Sequence, residues 1–347
     1  MLRVLKSLFA ARAPATPPPT AILDHAAPSS VESGGRRLAF QTLIKHKDGL
    51  PHIAWNRVRE WCDEFADPKE GGDAWLACER AWLLHLRDAL GAGYRLFESQ
   101  AALLLSRQDD RAVQLTLAFM ARTSQRVRRL LGRTADASEW GRDILIAFDD
   151  PDTYYRYVMT FHQPGDDVPT SAGIFIDSGC SHFASIQSEL SALEPTIAHE
   201  MTHAFLAHLP LPTWLNEGIA VNVEHLLAGG TPATSELREI EQQHRMFWTP
   251  ANIQSFWSGQ AYVGQDQAVQ LAYDLGRLIV STLGQDWTRF EDFVLAAHWE
   301  DAGDSAANEV LAVDLGDFVG ALLGSDESDA WRPRPEHWTH APQKDPH

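Results

Sequence analysis

Cysteine is nearly missing from this chain. Cys62, Cys78 and Cys180 are all there is in 347 residues. An odd count with no Cys-x-x-Cys excludes a disulfide framework and a thiolate zinc ribbon. Cys62 and Cys78 read instead as small buried helix residues. Positive charge is also scarce: 29 Lys and Arg face 47 Asp and Glu, a formal net charge of −18. That balance disfavours nucleic-acid phosphates and anionic membrane surfaces, so no nucleic-acid partner is expected. Long apolar runs are lacking too. No stretch approaches the ~18–20 uninterrupted apolar residues of a membrane helix, so no integral membrane segment is expected. Met1–Phe9 is basic and apolar but broken by Lys6, and with Ala13-Pro14-Ala15 it makes a poorly formed export signal; a cytoplasmic protein is expected. What remains is an ordinary globular composition, 44% apolar, enough for one large domain or two modest ones.

The informative stretch is Thr196-Ile-Ala-His-Glu-Met-Thr-His-Ala-Phe-Leu206, which contains H-E-x-x-H. On a helix, residues four apart stand about one turn and ~6 Å apart on one face. His199 and His203 can therefore hold one divalent ion, and imidazole nitrogen suits zinc. Glu200 is placed to reach a water on that ion and accept its proton during attack on a carbonyl. Ile197, Ala198, Met201, Ala204 and Phe205 make the helix largely apolar. Buried His and Glu need partners, and a shared ion supplies one. With 15 histidines in the chain, chance occurrence of the motif is the competing reading.

A catalytic zinc usually takes three protein ligands and leaves one position open. A downstream Gly and His of the metzincin kind are excluded, because Leu206 and Leu209 occupy those positions. After a Leu-Pro-Leu-Pro break at 209–212, a new helical pattern begins at Pro212-Thr-Trp-Leu-Asn-Glu-Gly-Ile-Ala220. Glu217 lies 14 residues after His203, and Glu224 lies 21 after it, on the same helix face. Both are candidate third ligands.

H-E-M-T-H followed by P-T-W-L-N-E-G-I-A resembles the peptidase-MA-like gluzincins, relatives of thermolysin and the zinc aminopeptidases. The resemblance is strongest over 195–225. It implies His199, His203 and Glu217 as ligands to one zinc ion, Glu200 as general base, and a peptide or protein as substrate. It also implies an α+β, zincin-like fold: a small mixed sheet packed on the active-site helix, followed by a mostly helical subdomain. The expected organisation is a disordered segment over 1–34, a helical region over 35–91, a gluzincin-like metallopeptidase domain over 92–325 and an irregular tail over 326–347. In such enzymes a downstream Tyr or His often donates to the oxyanion. Tyr262 is the candidate here, with Tyr273 behind it; a packing tyrosine is the alternative. One departure stands out. Family members often carry a polar residue four after the ligand Glu, where this chain has Val221; Asn222 or Glu224 are the candidate substitutes. A non-catalytic metal-binding or interaction module is therefore the second functional reading.

Around these motifs, the pattern predicts helices over 36–90, strands at Tyr94–Phe97, Ala101–Leu105 and Asp143–Phe148, and a long helix over Ala112–Leu131. Asp149 and Asp150 read as turn and cap residues opening a helix through Tyr157. Ala172–Asp177 reads as a strand at the sheet edge next to the motif helix, and the gluzincin resemblance implies that this edge pairs with an extended peptide substrate. Pro195 is expected near the start of that helix. Cys180 and His182 show no orienting partner, which argues against a thiol nucleophile. Helices are expected over Ser235–Phe247, Gln267–Leu283, Phe290–Ala297, Ala306–Val313 and Leu315–Leu323.

Overall fold

Two apolar runs, Ala102–Ser106 and Asp143–Phe148, lie at the centre of a six-stranded mixed sheet. In the computed structural model the described residues are 21–135, 140–162, 173–187, 190–228, 234–263, 267–325 and 329–338. The fold is mixed α+β. The strands are β1 (Ala21–Leu23), β2 (Val31–Ser33), β3 (Arg36–Leu38), β4 (Ile44–Lys47), β5 (Leu50–Ile53), β6 (Arg95–Glu98), β7 (Ala102–Ser106), β8 (Asp143–Phe148), β9 (Gly173–Ile176) and β10 (His182–Ile186). The helices are α1 (Trp55–Asp63), α2 (Pro68–Leu90), α3 (Asp110–Leu131), α4 (Pro151–Met159), α5 (Leu190–Leu206), α6 (Thr213–Ala228), α7 (Thr234–Phe247), α8 (Ile253–Trp257), α9 (Gln267–Leu283), α10 (Trp287–Ala296), α11 (Asp304–Ala306) and α12 (Leu315–Leu323). Among the described residues no helix is long and apolar enough to cross a membrane.

By chain contacts the described residues fall into two units, 21–125 with 140–200, and 126–135 with 201–338. The first unit carries the main sheet, ordered β1-β6-β7-β8-β10-β9. Strands β7, β8 and β10 run parallel, while β1, β6 and β9 are antiparallel to their neighbours. The central strands are buried along nearly their whole length, which is why their sequences do not alternate. Asp150 caps α4 by accepting the Thr153 N–H at 2.7 Å, and Asp149 accepts the Tyr94 hydroxyl at 2.8 Å. Asp150 has the cap role expected of it, whereas Asp149 ties Tyr94 and Arg107 together.

Two expectations are corrected here. Residues 36–53, expected to be helical, form hairpins; helix begins only at Trp55. Ser33 pairs with Arg36 and Lys47 with Leu50, so each hairpin has a two-residue loop. Gly34 and Gly35 have φ of 53° and 74°, and Asp48 and Gly49 have 47° and 78°. Positive φ at both central positions is the turn whose twist matches paired strands, and Gly-Gly and Asp-Gly supply it. The segment 1–34, expected to be disordered, is ordered over its described part. Ala21–Leu23 pairs with Leu96–Glu98, and Val31–Ser33 is half of the first hairpin; residues 1–20 lie outside the described residues. One hydrophobic core joins Val31, Trp55, Trp75 and Trp82 to Leu103, Ile146 and other sheet residues. The three cysteines are free and buried.

The second unit is helical. Its centre is Trp214, fully buried, whose Nε1–H donates to the Ala302 carbonyl at 3.0 Å. Trp257 does the same to Trp331 at 2.8 Å, so the tail region around 331 is packed rather than loose. The expected helix over Ala306–Val313 is the short α11 followed by a π-turn through Leu311.

Candidate metal centre

Helix α5 carries the H-E-x-x-H residues. It starts at Leu190, so Pro195 lies inside it rather than at its start. Proline there forgoes one i→i−4 bond, and the helix continues through it. Ile197, Ala198, Met201, Phe205 and Leu206 are buried; His199 and His203 are half-buried on another face. The chain then turns. Pro210 at that turn accepts the Trp299 N–H at 2.9 Å, and buried Trp214 anchors the start of α6. Glu217 follows one turn later.

His199, His203 and Glu217 each offer a ligand atom, and these atoms lie within 4.8 Å of one another. His203 Nε2 faces Glu217 Oε2 at 3.4 Å. The other ring nitrogen, Nδ1, is 3.0 Å from Asn216 Oδ1. An amide oxygen only accepts, so Nδ1 carries the proton and Nε2 keeps its lone pair toward Glu217. Such an outer partner fixes ring orientation and tautomer for metal binding. The N, N, O donor set could hold one metal ion. Glu224 belongs to no such group among the described residues.

Glu200 points to the sheet. Its Oε2 accepts the Phe175 main-chain N–H at 3.0 Å. Phe175 lies on β9, an outer strand of the sheet bonded to β10 on one side. Its N–H therefore faces away from β10, and antiparallel alternation turns Gly173 outward as well, with Ile174 and Ile176 inward. A side chain at Gly173 would strike Phe183 Cζ at 2.6 Å and Thr196 Cγ2 at 3.0 Å. Strand β9 thus runs along α5, Gly173 beside Thr196 and Phe175 beside Glu200. Two strand residues span about 6.6 Å and four helix residues about 6 Å, so the two elements stay in step.

Tyr262 is buried. Its hydroxyl donates to the Ala272 carbonyl at 2.9 Å, and Tyr273 packs edge-on at 5.1 Å between ring centroids. Burial, with the Glu217 charge behind it, raises the Tyr262 hydroxyl well above its ordinary range. Asn222 does not turn to a ligand. Its Nδ2 donates to Gly218 O at 2.7 Å and to Arg277 O at 2.9 Å. Cys180 and His182 are both buried. His182 Nδ1 donates to the Cys180 carbonyl at 2.8 Å, and its Nε2 accepts the Tyr157 hydroxyl at 2.6 Å. The imidazole is thus committed away from the thiol, which burial pushes well above its usual range.

Sequence reasoning passed over Asn216, although it adjoins Glu217 in the second half-motif. Its signal was available: a carboxamide one residue before a helix-borne ligand can reach back to the first helix. Comparison with protein-family models, with curated proteins and with solved structures finds no match to this chain.

Proposed function

We propose that this chain is a zinc-dependent metallohydrolase of gluzincin type that hydrolyses peptide bonds, on a zincin-like scaffold. The observation that carries the reading is the convergence of His199, His203 and Glu217, with Glu200 next to His199 on α5 and bonded to the outer strand β9. When bound, zinc supplies Lewis acidity: it polarises a carbonyl and makes water a competent nucleophile near neutral pH. The chain's own residues do the rest. Asn216 holds His203 in the ligating tautomer. Glu200 takes a proton from the attacking water at its carboxylate and delivers it to the leaving amine nitrogen. An extended peptide adds along β9, the outer strand beside α5. Tyr262 serves as oxyanion donor only if its hydroxyl leaves the Ala272 carbonyl.

A second reading, a zincin-fold module that binds metal without turnover, is favoured by Val221. An apolar side chain at that position cannot orient a ligand, and Asn222 is engaged elsewhere. Metal analysis of the untagged protein beside its His199→Ala variant tests the site, with one zinc per chain expected only in the parent. Equal zinc in both would overturn the proposal. Stoichiometric zinc with no cleavage across a diverse peptide library selects the second reading.

A further inference from the structure

The third ligand sits on a helix whose seat is unusually tight. Gly218, next to Glu217, has no room for a side chain: a Cβ there would lie 2.6 Å from Gly276 O and 2.8 Å from Val280 Cγ2. Gly276 on α9 is the reciprocal case. A Cβ there would lie 2.9 Å from Trp214 O and 2.8 Å from the Tyr262 hydroxyl. The two helices therefore touch main chain to main chain, an approach that glycine alone permits. Two further ties close the crossing. Asn222, one turn beyond Gly218, donates to a carbonyl of each helix, Gly218 O at 2.7 Å and Arg277 O at 2.9 Å. Tyr262 covers Gly276 and donates to Ala272, one turn earlier on α9.

We propose that Gly276, Asn222 and Tyr262 are positioning residues that seat Glu217 for metal binding, through the α6–α9 crossing at Gly218. This rests on the reading of Glu217 as a ligand. Relieving the 2.9 Å approach of a Cβ on Gly276 to Trp214 O to an ordinary 3.4 Å contact moves the helix by about 0.5 Å. Ligand distances in a metal site tolerate only ~0.2 Å. A shift that the helix packing could survive is thus large for the carboxylate. Asn222, expected to support a ligand directly, acts here through the backbone of the ligand's own helix. Tyr262 acts the same way, from the hydrogen bond it already makes.

The test compares zinc affinity, by chelator competition, with the visible spectrum of the Co(II)-loaded protein and the melting temperature of the metal-free protein. The variants are Gly276→Ala, Asn222→Ala and Tyr262→Phe, with Val294→Ala on α10 as a packing control. The crossing variants should lose about tenfold or more in zinc affinity and change the Co(II) spectrum. Val294→Ala should lower the melting temperature and leave affinity and spectrum alone. Should Gly276→Ala not fold, the other two decide, since both delete atoms rather than add them. Parental affinity and spectrum in Asn222→Ala and Tyr262→Phe would overturn the inference, as would an equal affinity loss in Val294→Ala. A parent that takes up no stoichiometric zinc would instead overturn the ligand reading beneath it.

Discussion

Asn216 Oδ1 accepts the His203 Nδ1–H at 3.0 Å, while the opposite ring nitrogen looks at Glu217 Oε2. On the proposed reading, neighbours in sequence serve the site in different ways: Glu217 as donor atom, Asn216 as the group that sets a tautomer. Asn216→Ala should weaken zinc binding by roughly 10–100-fold. Asn216→Asp keeps an acceptor oxygen and should retain most of the affinity. Chelator competition reads both, and unchanged binding in Asn216→Ala would remove the role.

The ranking of the two acidic candidates follows from the same geometry. Glu217→Ala should abolish stoichiometric zinc, and Glu224→Ala should keep it, by elemental analysis of purified protein. Retention of zinc by Glu217→Ala would reverse the assignment.

Glu200 and the Phe175 N–H make a pair that separates chemistry from binding. Glu200→Gln should bind zinc like the parent and lose peptide cleavage. Phe175→Pro removes an outward-facing N–H on an outer strand, where proline is tolerated, and Phe175→Ala controls for the lost ring. The proline variant should fold and bind zinc, yet cleave peptides more slowly, because the carboxylate loses the donor that orients it. Cleavage by Glu200→Gln at the parental rate would refute the mechanism.

Stability should peak near pH 6.5. Glu79 is buried, accepting Trp75 Nε1–H at 2.8 Å and the Arg142 main-chain N–H at 3.2 Å. Burial pushes its carboxyl from 4.5 up to about 8, against the opposing pull of Trp75, Arg142 and Arg80. Its contribution is complete below about 4.5 and is lost as pH rises through about 8. Burial lowers His182 and His52 from 6.5 to about 4. Theirs is complete above 6.5 and is lost as pH falls through about 4. Between 4.5 and 6.5 two histidines outweigh one carboxyl, so stability climbs; above 6.5 Glu79 alone of the three acts, and stability declines. Urea midpoints across pH 5–9 should show that maximum, and Glu79→Gln should flatten the alkaline side. A parent with no decline between pH 7 and 8.5 would contradict the assignment to Glu79.

What the sequence disclosed depended on how local the signal was. His199 and His203 needed only helical spacing; the proline break that starts α6 left Glu217 and Glu224 both open, and the family resemblance preferred Glu217. Strands β7 and β8 showed as unbroken apolar runs. Strand β10 did not, because His182 and Ser185 are buried polar residues whose place depends on pairing with distant β8. The two hairpins escaped because Arg36–Leu38 and Ile44–Lys47 are short, charged and mostly exposed; the Gly34-Gly35 and Asp48-Gly49 turns were the readable sign. Glu79 gave none. It sits among tryptophans on α2, and only the folded sheet shows that it is enclosed. The α6–α9 contact was equally hidden, since nothing local to Gly218 points to Gly276.

The core that unites Trp55, Trp75 and Trp82 with Leu103 and Ile146 has a practical consequence. Strand and helix before residue 92 are the other half of the sheet's apolar wall, and trimming the chain there to isolate a catalytic fragment would strip that wall bare. Recombinant protein shortened in this way should come out as inclusion bodies, whereas any fusion tag is better placed ahead of β1.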